Sequence, residues 1–155
     1  MSGARVVFEN GVWNLVGRVD EAFPYQQIVA SNGPGPVRLD FAAVELVTSF
    51  GQKILIDLME EVGEERVEFY EVPVSFVINL NFMPALLLNR PERVKTFYAP
   101  FHCDQCSLDI DSILKFEQVV INNESVSLPR KRCHSCLTEL RLNTDPYQYF
   151  LFIYN

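Results

Sequence analysis

Hydrophobic and polar positions change period several times along this chain, and each change marks an element. Arg5-Val6-Val7-Phe8 and Val12-Trp13-Asn14-Leu15-Val16 are rich in β-branched and aromatic residues. Glu9-Asn10-Gly11 between them supplies turn chemistry, so the pair predicts a hairpin. Asp20 is placed to cap a following helix in which Phe23, Gln27, Ile28 and Ser31 recur at helical spacing, with Pro24 tolerated in the first turn. Asn32-Gly33-Pro34-Gly35-Pro36 stops it. Val37-Arg38-Leu39-Asp40-Phe41 alternates as a strand and leads through a short loop to a second helix opening at Phe50. Phe50, Ile54, Leu55, Leu58 and Val62 form its apolar stripe, while Gln52, Lys53, Asp57, Glu60 and Glu61 fall elsewhere. Arg66 to Val72 reads as a strand, Pro73 opens a helix to about Met83, and Val94 to Tyr98 reads as a further strand. Strands alternating with helices predict an α/β fold whose mixed sheet carries the first hairpin as its antiparallel part.

Four cysteines change the picture after residue 98. They fall in two brackets, Cys103-Asp104-Gln105-Cys106 and Cys133-His134-Ser135-Cys136, which together hold every cysteine in the chain. Each Cys-x-x-Cys puts two sulfurs on one tight turn, and two such turns offer the four thiolates that tetrahedral Zn²⁺ takes. The 26 residues between Cys106 and Cys133 leave room for a β-hairpin. The expected ligand set is therefore Cys103, Cys106, Cys133 and Cys136, holding one structural zinc ion in a small β-rich zinc ribbon. A disulfide framework requires an oxidising compartment, and the N-terminus shows no apolar stretch suited to a signal peptide. A redox pair or another metal is the alternative. His102 and His134 each adjoin a cysteine and can substitute as ligands; with four thiolates at hand they are expected to stay outside the first shell.

Composition sets the bounds. With 155 residues, 48% of them hydrophobic, the chain is long enough for a core and a small appendage, which suggests residues 1–98 as one domain and 99–155 as the zinc-ribbon module. Ala99-Pro100 is too short for a flexible linker, so the two are expected to dock. The net charge of −7 is spread over both parts, which weighs against an electrostatic nucleic-acid binder. The basic run Arg130-Lys131-Arg132 has two readings, compensation of a negatively charged thiolate site or a patch for phosphate or an acidic partner. No segment approaches the roughly 20 continuous apolar residues of a membrane span, and a cytoplasmic location is expected.

The order of motifs resembles the STAS domains of bacterial anti-sigma-factor antagonists and related regulators. Leu15-Val16-Gly17-Arg18-Val19-Asp20 is similar to the family's second strand and its exit. Val37 to Val44 is similar to its central strand, and Val47-Thr48-Ser49-Phe50-Gly51 to the start of its regulatory helix. The likeness spans roughly residues 5 to 98. Phe97-Tyr98-Ala99-Pro100-Phe101-His102-Cys103 further resembles the junction of a bacterial subgroup in which such a domain continues into a zinc ribbon. The resemblance implies a non-enzymatic, protein-binding regulatory module whose partner is an anti-sigma factor, a kinase-like protein or another regulator. It also implies that Ser49 occupies a phosphoacceptor position. Thr48 stands where the family usually has an acidic residue, and Phe50 where it has a small one.

Ser49 has a second reading from the residues alone. Ser49-Phe50-Gly51-Gln52 fits a capping box in which the hydroxyl accepts from the Gln52 amide and the Gln52 side chain reaches back. Asp40 is either a polar strand end of the family type or a turn former. Catalysis is not expected: both histidines flank the cysteines, there is no Gly-x-Ser-x-Gly, and Gly33-Pro34-Gly35-Pro36 lacks the lysine of a phosphate loop. A zinc-ribbon nucleic-acid-associated regulator is the alternative function. Tyr147-Gln148-Tyr149-Phe150-Leu151-Phe152-Ile153-Tyr154 is too apolar for a free tail and predicts a closing strand. Its alternative role is a partner or homodimer surface.

Overall fold

The computed structural model describes residues 3–154. Strands β1 (Arg5–Glu9) and β2 (Val12–Val19) form the expected antiparallel hairpin. β3 (Val37–Val47) and β4 (Val67–Tyr70) add to β2 in parallel, giving a mixed sheet of order β1-β2-β3-β4. Helix α1 (Gln26–Ser31) connects β2 to β3 and α2 (Ser49–Val62) connects β3 to β4. Helix α3 (Val74–Phe82) follows β4 and leads to β5 (Thr96–Cys103); two isolated parallel bridges join the segments, Phe69 of β4 to Val94 just before β5 and Val72 just past β4 to Phe97 of β5.

The inward row of β2 buries Trp13, Leu15 and Val19, and β3 adds Val37, Leu39 and Phe41. Against them lie Ile28 of α1, Leu55, Leu58 and Met59 of α2, and Phe76, Val77 and Leu80 of α3. Phe41 joins sheet to helix, with its ring 5.0 Å from that of Phe69 and 5.4 Å from that of Phe76. Burying a side chain of this size contributes about 1.5–3 kcal/mol. Buried Arg93 ties the last turns before β5 to β4 by donating to the carbonyls of Leu87, Glu64 and Val67.

Several expectations need correction. Asp20 caps no helix: its Oδ1 accepts from the Ala22 amide at 3.0 Å and its carbonyl from Phe23, so a turn forms and α1 begins only at Gln26. β3 runs on past Phe41 to Val47, because β2 continues beside it through two register shifts. Phe50 does not lie on the buried stripe and is 65% exposed. The buried stripe is Gly51, Leu55, Leu58, Met59 and Val62, and Gly51 sets its orientation. A Cβ there would meet the Val19 carbonyl oxygen at 1.8 Å, so only glycine lets the first turn of α2 lie against the exit of β2. The capping box on Ser49 is absent. Thr48 is the N-cap, its Oγ1 accepting from the Gly51 amide at 3.1 Å.

The C-terminal segment is not a strand. Asp145 accepts from the amides of Tyr147 and Gln148, Pro146 takes the first helical position, and the chain forms two short helices, α4 (Pro146–Tyr149) and α5 (Leu151–Tyr154). They bury Tyr149, Phe150 and Phe152 against α3 and β5. Phe97 of β5 meets Phe150 and Phe152 edge-on at 6.1 and 5.2 Å. Asn81 of α3 clasps the junction, donating to the Tyr149 carbonyl at 2.8 Å and accepting from the Phe152 amide at 2.9 Å.

β6 (Leu108–Lys115) and β9 (Arg141–Leu142) flank β5 in an antiparallel sheet of order β6-β5-β9. Between β6 and β9 lies a hairpin of β7 (Val120–Ile121) and β8 (Val126–Ser127), within the stretch expected to hold one. The division expected at residues 98 and 99 falls inside β5, whose Thr96–Tyr98 end adjoins β4 and whose Phe101–Cys103 end carries the first knuckle. Among the described residues, no helix is long and apolar enough to cross a membrane.

Candidate metal centre

The end of β5 places Cys103, and the tight turn into β6 returns Cys106 to the same side, its amide donating to the Cys103 sulfur at 3.4 Å. The second knuckle is held by a short ladder: Arg132 bridges to Glu139, the Cys133 amide donates to the Thr138 carbonyl at 2.9 Å, and the Leu137 amide donates to the Cys133 carbonyl at 2.9 Å. β9 then pairs with β5 through Phe101–Leu142 and His102–Arg141, which brings the knuckles face to face. In each, the residue after the second cysteine is left-handed, Ser107 at φ 53° and Leu137 at φ 62°.

The four sulfurs of Cys103, Cys106, Cys133 and Cys136 lie within 4.8 Å of one another. Cys103 and Cys136 are 3.5 Å apart and Cys106 and Cys133 4.0 Å, too far for disulfides; all four thiols are free. A tetrahedral ion at the usual metal–sulfur distance of about 2.3 Å needs sulfurs about 3.8 Å apart. The set can hold a metal ion. Cys103 and Cys133 are buried and Cys106 and Cys136 half-buried, so the site is enclosed by its own turns.

The electrostatics of the thiols point the same way. Thr138 donates through its hydroxyl and amide to Cys136 and draws that thiol down to about 6, whereas Cys106, hydrogen-bonded to Cys136 and desolvated, is pushed up to about 12. The sulfurs divide their protons unequally because they hydrogen-bond one another and Thr138 from different sides, and four adjacent thiolates would repel. A divalent cation removes that conflict.

A polar belt surrounds the first knuckle. His102 Nδ1 lies 2.7 Å from Asp109 Oδ1, its Nε2 lies 3.7 Å from Asp104, and Arg141 Nε donates to Asp104 at 3.0 Å. Asn143 donates to the same Asp109 oxygen at 3.3 Å. His102 is thus engaged by carboxylates, and neither it nor the exposed His134 belongs to the sulfur cluster. Arg132 donates to the Leu137 carbonyl at 3.2 Å, which ties one residue of the basic run to its knuckle. Thr138, Asp104, Asp109 and Asn143 escaped the sequence reading, since nothing in their spacing shows that β9 lies beside β5. Ser49 is not part of this cluster; it lies exposed in the first turn of α2. Asp40 is neither a strand end nor a turn former: it lies within β3, where its Oδ1 accepts from the Ala42 amide at 2.8 Å beside the first register shift with β2.

No family model, curated protein or solved structure matches this chain.

Proposed function

We propose that the chain is a non-enzymatic, protein-binding module of bacterial signalling, a STAS-like domain carrying a zinc ribbon, in which phosphorylation of Ser49 changes the partner bound. Supporting the fold assignment is the order of an antiparallel hairpin followed by parallel strands with helical crossovers. Supporting zinc is a donor set of four sulfurs within 4.8 Å of one another, the all-thiolate set that structural zinc takes. With all four bound, no position is left for water, so the ion has a structural role. The partner class is an anti-sigma factor, a kinase-like protein or another regulator in the cytoplasm.

The observation that carries the switch is the division of labour at the start of α2. Thr48 caps the helix, so the exposed Ser49 hydroxyl is not spent on the cap and has no hydrogen bond among the described residues. Exposed Leu46 and Phe50 flank it with apolar surface of the kind a partner covers. A phosphate on Ser49 would meet the positive end of a 14-residue helix and place about two negative charges beside that surface. The domain would stay folded while its docking face changed sign.

The test compares wild-type, Ser49→Ala and Ser49→Glu proteins in quantitative pull-downs from native lysate, with phosphopeptide mapping of the wild type. A partner kept by Ser49→Ala and lost by Ser49→Glu is the expected result. Retention indifferent to both substitutions would make the module a scaffold rather than a switch. Elemental analysis is expected to find one zinc per chain, and its absence would remove the ribbon assignment.

A further inference from the structure

Among the described residues, β1 is a free edge of the first sheet, pairing with β2 on one side and with no strand on the other. Asn10 and Gly11 have φ of 52° and 78°, so a two-residue type I′ turn closes the hairpin and Glu9 and Val12 form its hydrogen-bonded closing pair. Bonding alternates along an antiparallel ladder. Arg5, Val7 and Glu9 therefore direct their backbone groups at β2, and Val6 and Phe8 direct theirs outward. The Val7 carbonyl agrees, lying 3.3 Å from Asn14 Nδ2 on β2.

Proteins usually blunt such an edge with proline, a bulge or a covering segment. β1 contains no proline, and its pairing with β2 is unbroken from Arg5 to Glu9. Val7 is 39% exposed and Phe8 59%. The strand is also self-complementary in charge: Arg5 begins it, Glu9 ends it, and three apolar residues lie between. Neither charge has an ion-pair partner among the described residues.

We propose that β1 is the contact between two copies of this chain, paired antiparallel about a twofold axis at Val7. In this register Val6 faces the partner's Phe8 and Phe8 faces the partner's Val6, and both pairs exchange their outward hydrogen bonds. Val7 meets the partner's Val7 at a closely spaced position, and Arg5 meets the partner's Glu9 at each end. Centring the axis on Val6 or Phe8 also satisfies the backbone, but it sets Arg5 or Glu9 against Val7. Charge thus selects the register. The two four-stranded sheets become one. The contact is isologous, as closed dimers require, and it stands independently of the switch assigned to Ser49.

Analytical ultracentrifugation of the full chain from about 1 µM to about 500 µM tests it. Wild type is expected to dimerise within that range. Arg5→Glu and Glu9→Arg each place like charges opposite one another at both ends, and each is expected to weaken the dimer about tenfold or more. Combining Arg5→Glu with Glu9→Arg restores opposite charges and is expected to return the wild-type Kd. In parallel, hydrogen exchange on wild type reads the edge without any substitution: the amides of Val6 and Phe8 gain protection as concentration rises. A monomer throughout the range overturns the proposal. So does a dimer indifferent to the single reversals, a double variant that stays weak, or exchange at Val6 and Phe8 that ignores concentration. Protection appearing only on addition of another protein gives the edge to that protein and equally overturns it.

Discussion

Leu137 and Ser107 occupy matching places, each one residue past the second cysteine of its knuckle and each left-handed. The left-handed region costs a residue with a Cβ about 1–2 kcal/mol, and Leu137 has little packing to set against that, being 66% exposed. Glycine adopts the conformation freely but adds about 0.5–1 kcal/mol of unfolded-state entropy. Leu137→Gly is therefore expected to stabilise the metal-loaded protein by about 0.5–1 kcal/mol, read as a rise in the urea midpoint at unchanged m-value. A lower midpoint would mean that the Leu137 side chain contributes more than its exposure indicates. Tyr149 works in the opposite sense with pH. It is 5% exposed and its hydroxyl donates to the Tyr98 carbonyl, so burial, with Asp111 adding to it, raises its pKa well above the ordinary 10. Its contribution is complete below about pH 10 and is lost above it, because the unfolded chain then releases a proton that the folded one retains. Stability is expected to fall by up to about 1.4 kcal/mol per pH unit above that point. Tyr149→Phe should flatten the slope in urea titrations between about pH 9.5 and 11, and an unchanged slope would remove Tyr149 as its source.

At the start of helix α2, Thr48 is the cap and its neighbour Ser49 is exposed. If Thr48 is the cap, Thr48→Ala should cost about 1 kcal/mol of stability, while Ser49→Ala should lie within about 0.5 kcal/mol of wild type. Chemical denaturation of both variants checks this, and equal losses would restore the serine to the cap. The sequence pattern identified α2 as a helix because Leu55, Leu58 and Val62 repeat with its period. It misplaced Phe50 because an apolar residue in the first turn fits the same period whether the helix end is covered or free. What orients that end is a close approach to Val19, which only Gly51 permits and no periodicity encodes. The C-terminal segment misled for a different reason. From Tyr147 to Tyr154 every residue but Gln148 is apolar, so alternation and helical spacing are equally satisfied, and the deciding signal was Asp145-Pro146, an N-cap followed by a first-turn proline. The sulfur cluster was legible because four cysteines in two equal brackets leave few arrangements. The belt of Asp104, Asp109 and Asn143 was not, since it depends on β9 returning beside β5.

At the scale of the whole molecule, β5 of the second sheet lies beside the β4 segment of the first, joined to it by isolated bridges, and this decides how far the loss of a metal should travel. Its Thr96–Tyr98 end lies against Phe150 and Phe152 through Phe97 and bridges to β4, so hydrophobic packing holds it with or without an ion. Its Phe101–Cys103 end pairs with Leu108–Ile110 of β6 and with the two-residue β9, and beyond them lie the sulfurs. Removing a cation takes away the four sulfur–metal bonds that tie the two knuckles together, which loosens that end. Chelation is therefore expected to produce a gradient rather than global unfolding. Amide protection should be lost around Cys103–Cys106, at β9 and around Cys133–Leu140, and kept at Thr96–Tyr98, at the Ile113–Lys115 end of β6 and throughout β2 and β3. Hydrogen exchange before and after treatment with a zinc chelator reads this residue by residue. Uniform loss across both sheets would show that the ion supports the whole fold through β5. No loss at the knuckles would show that the turns hold themselves, and the structural role assigned to the metal would fall with that result.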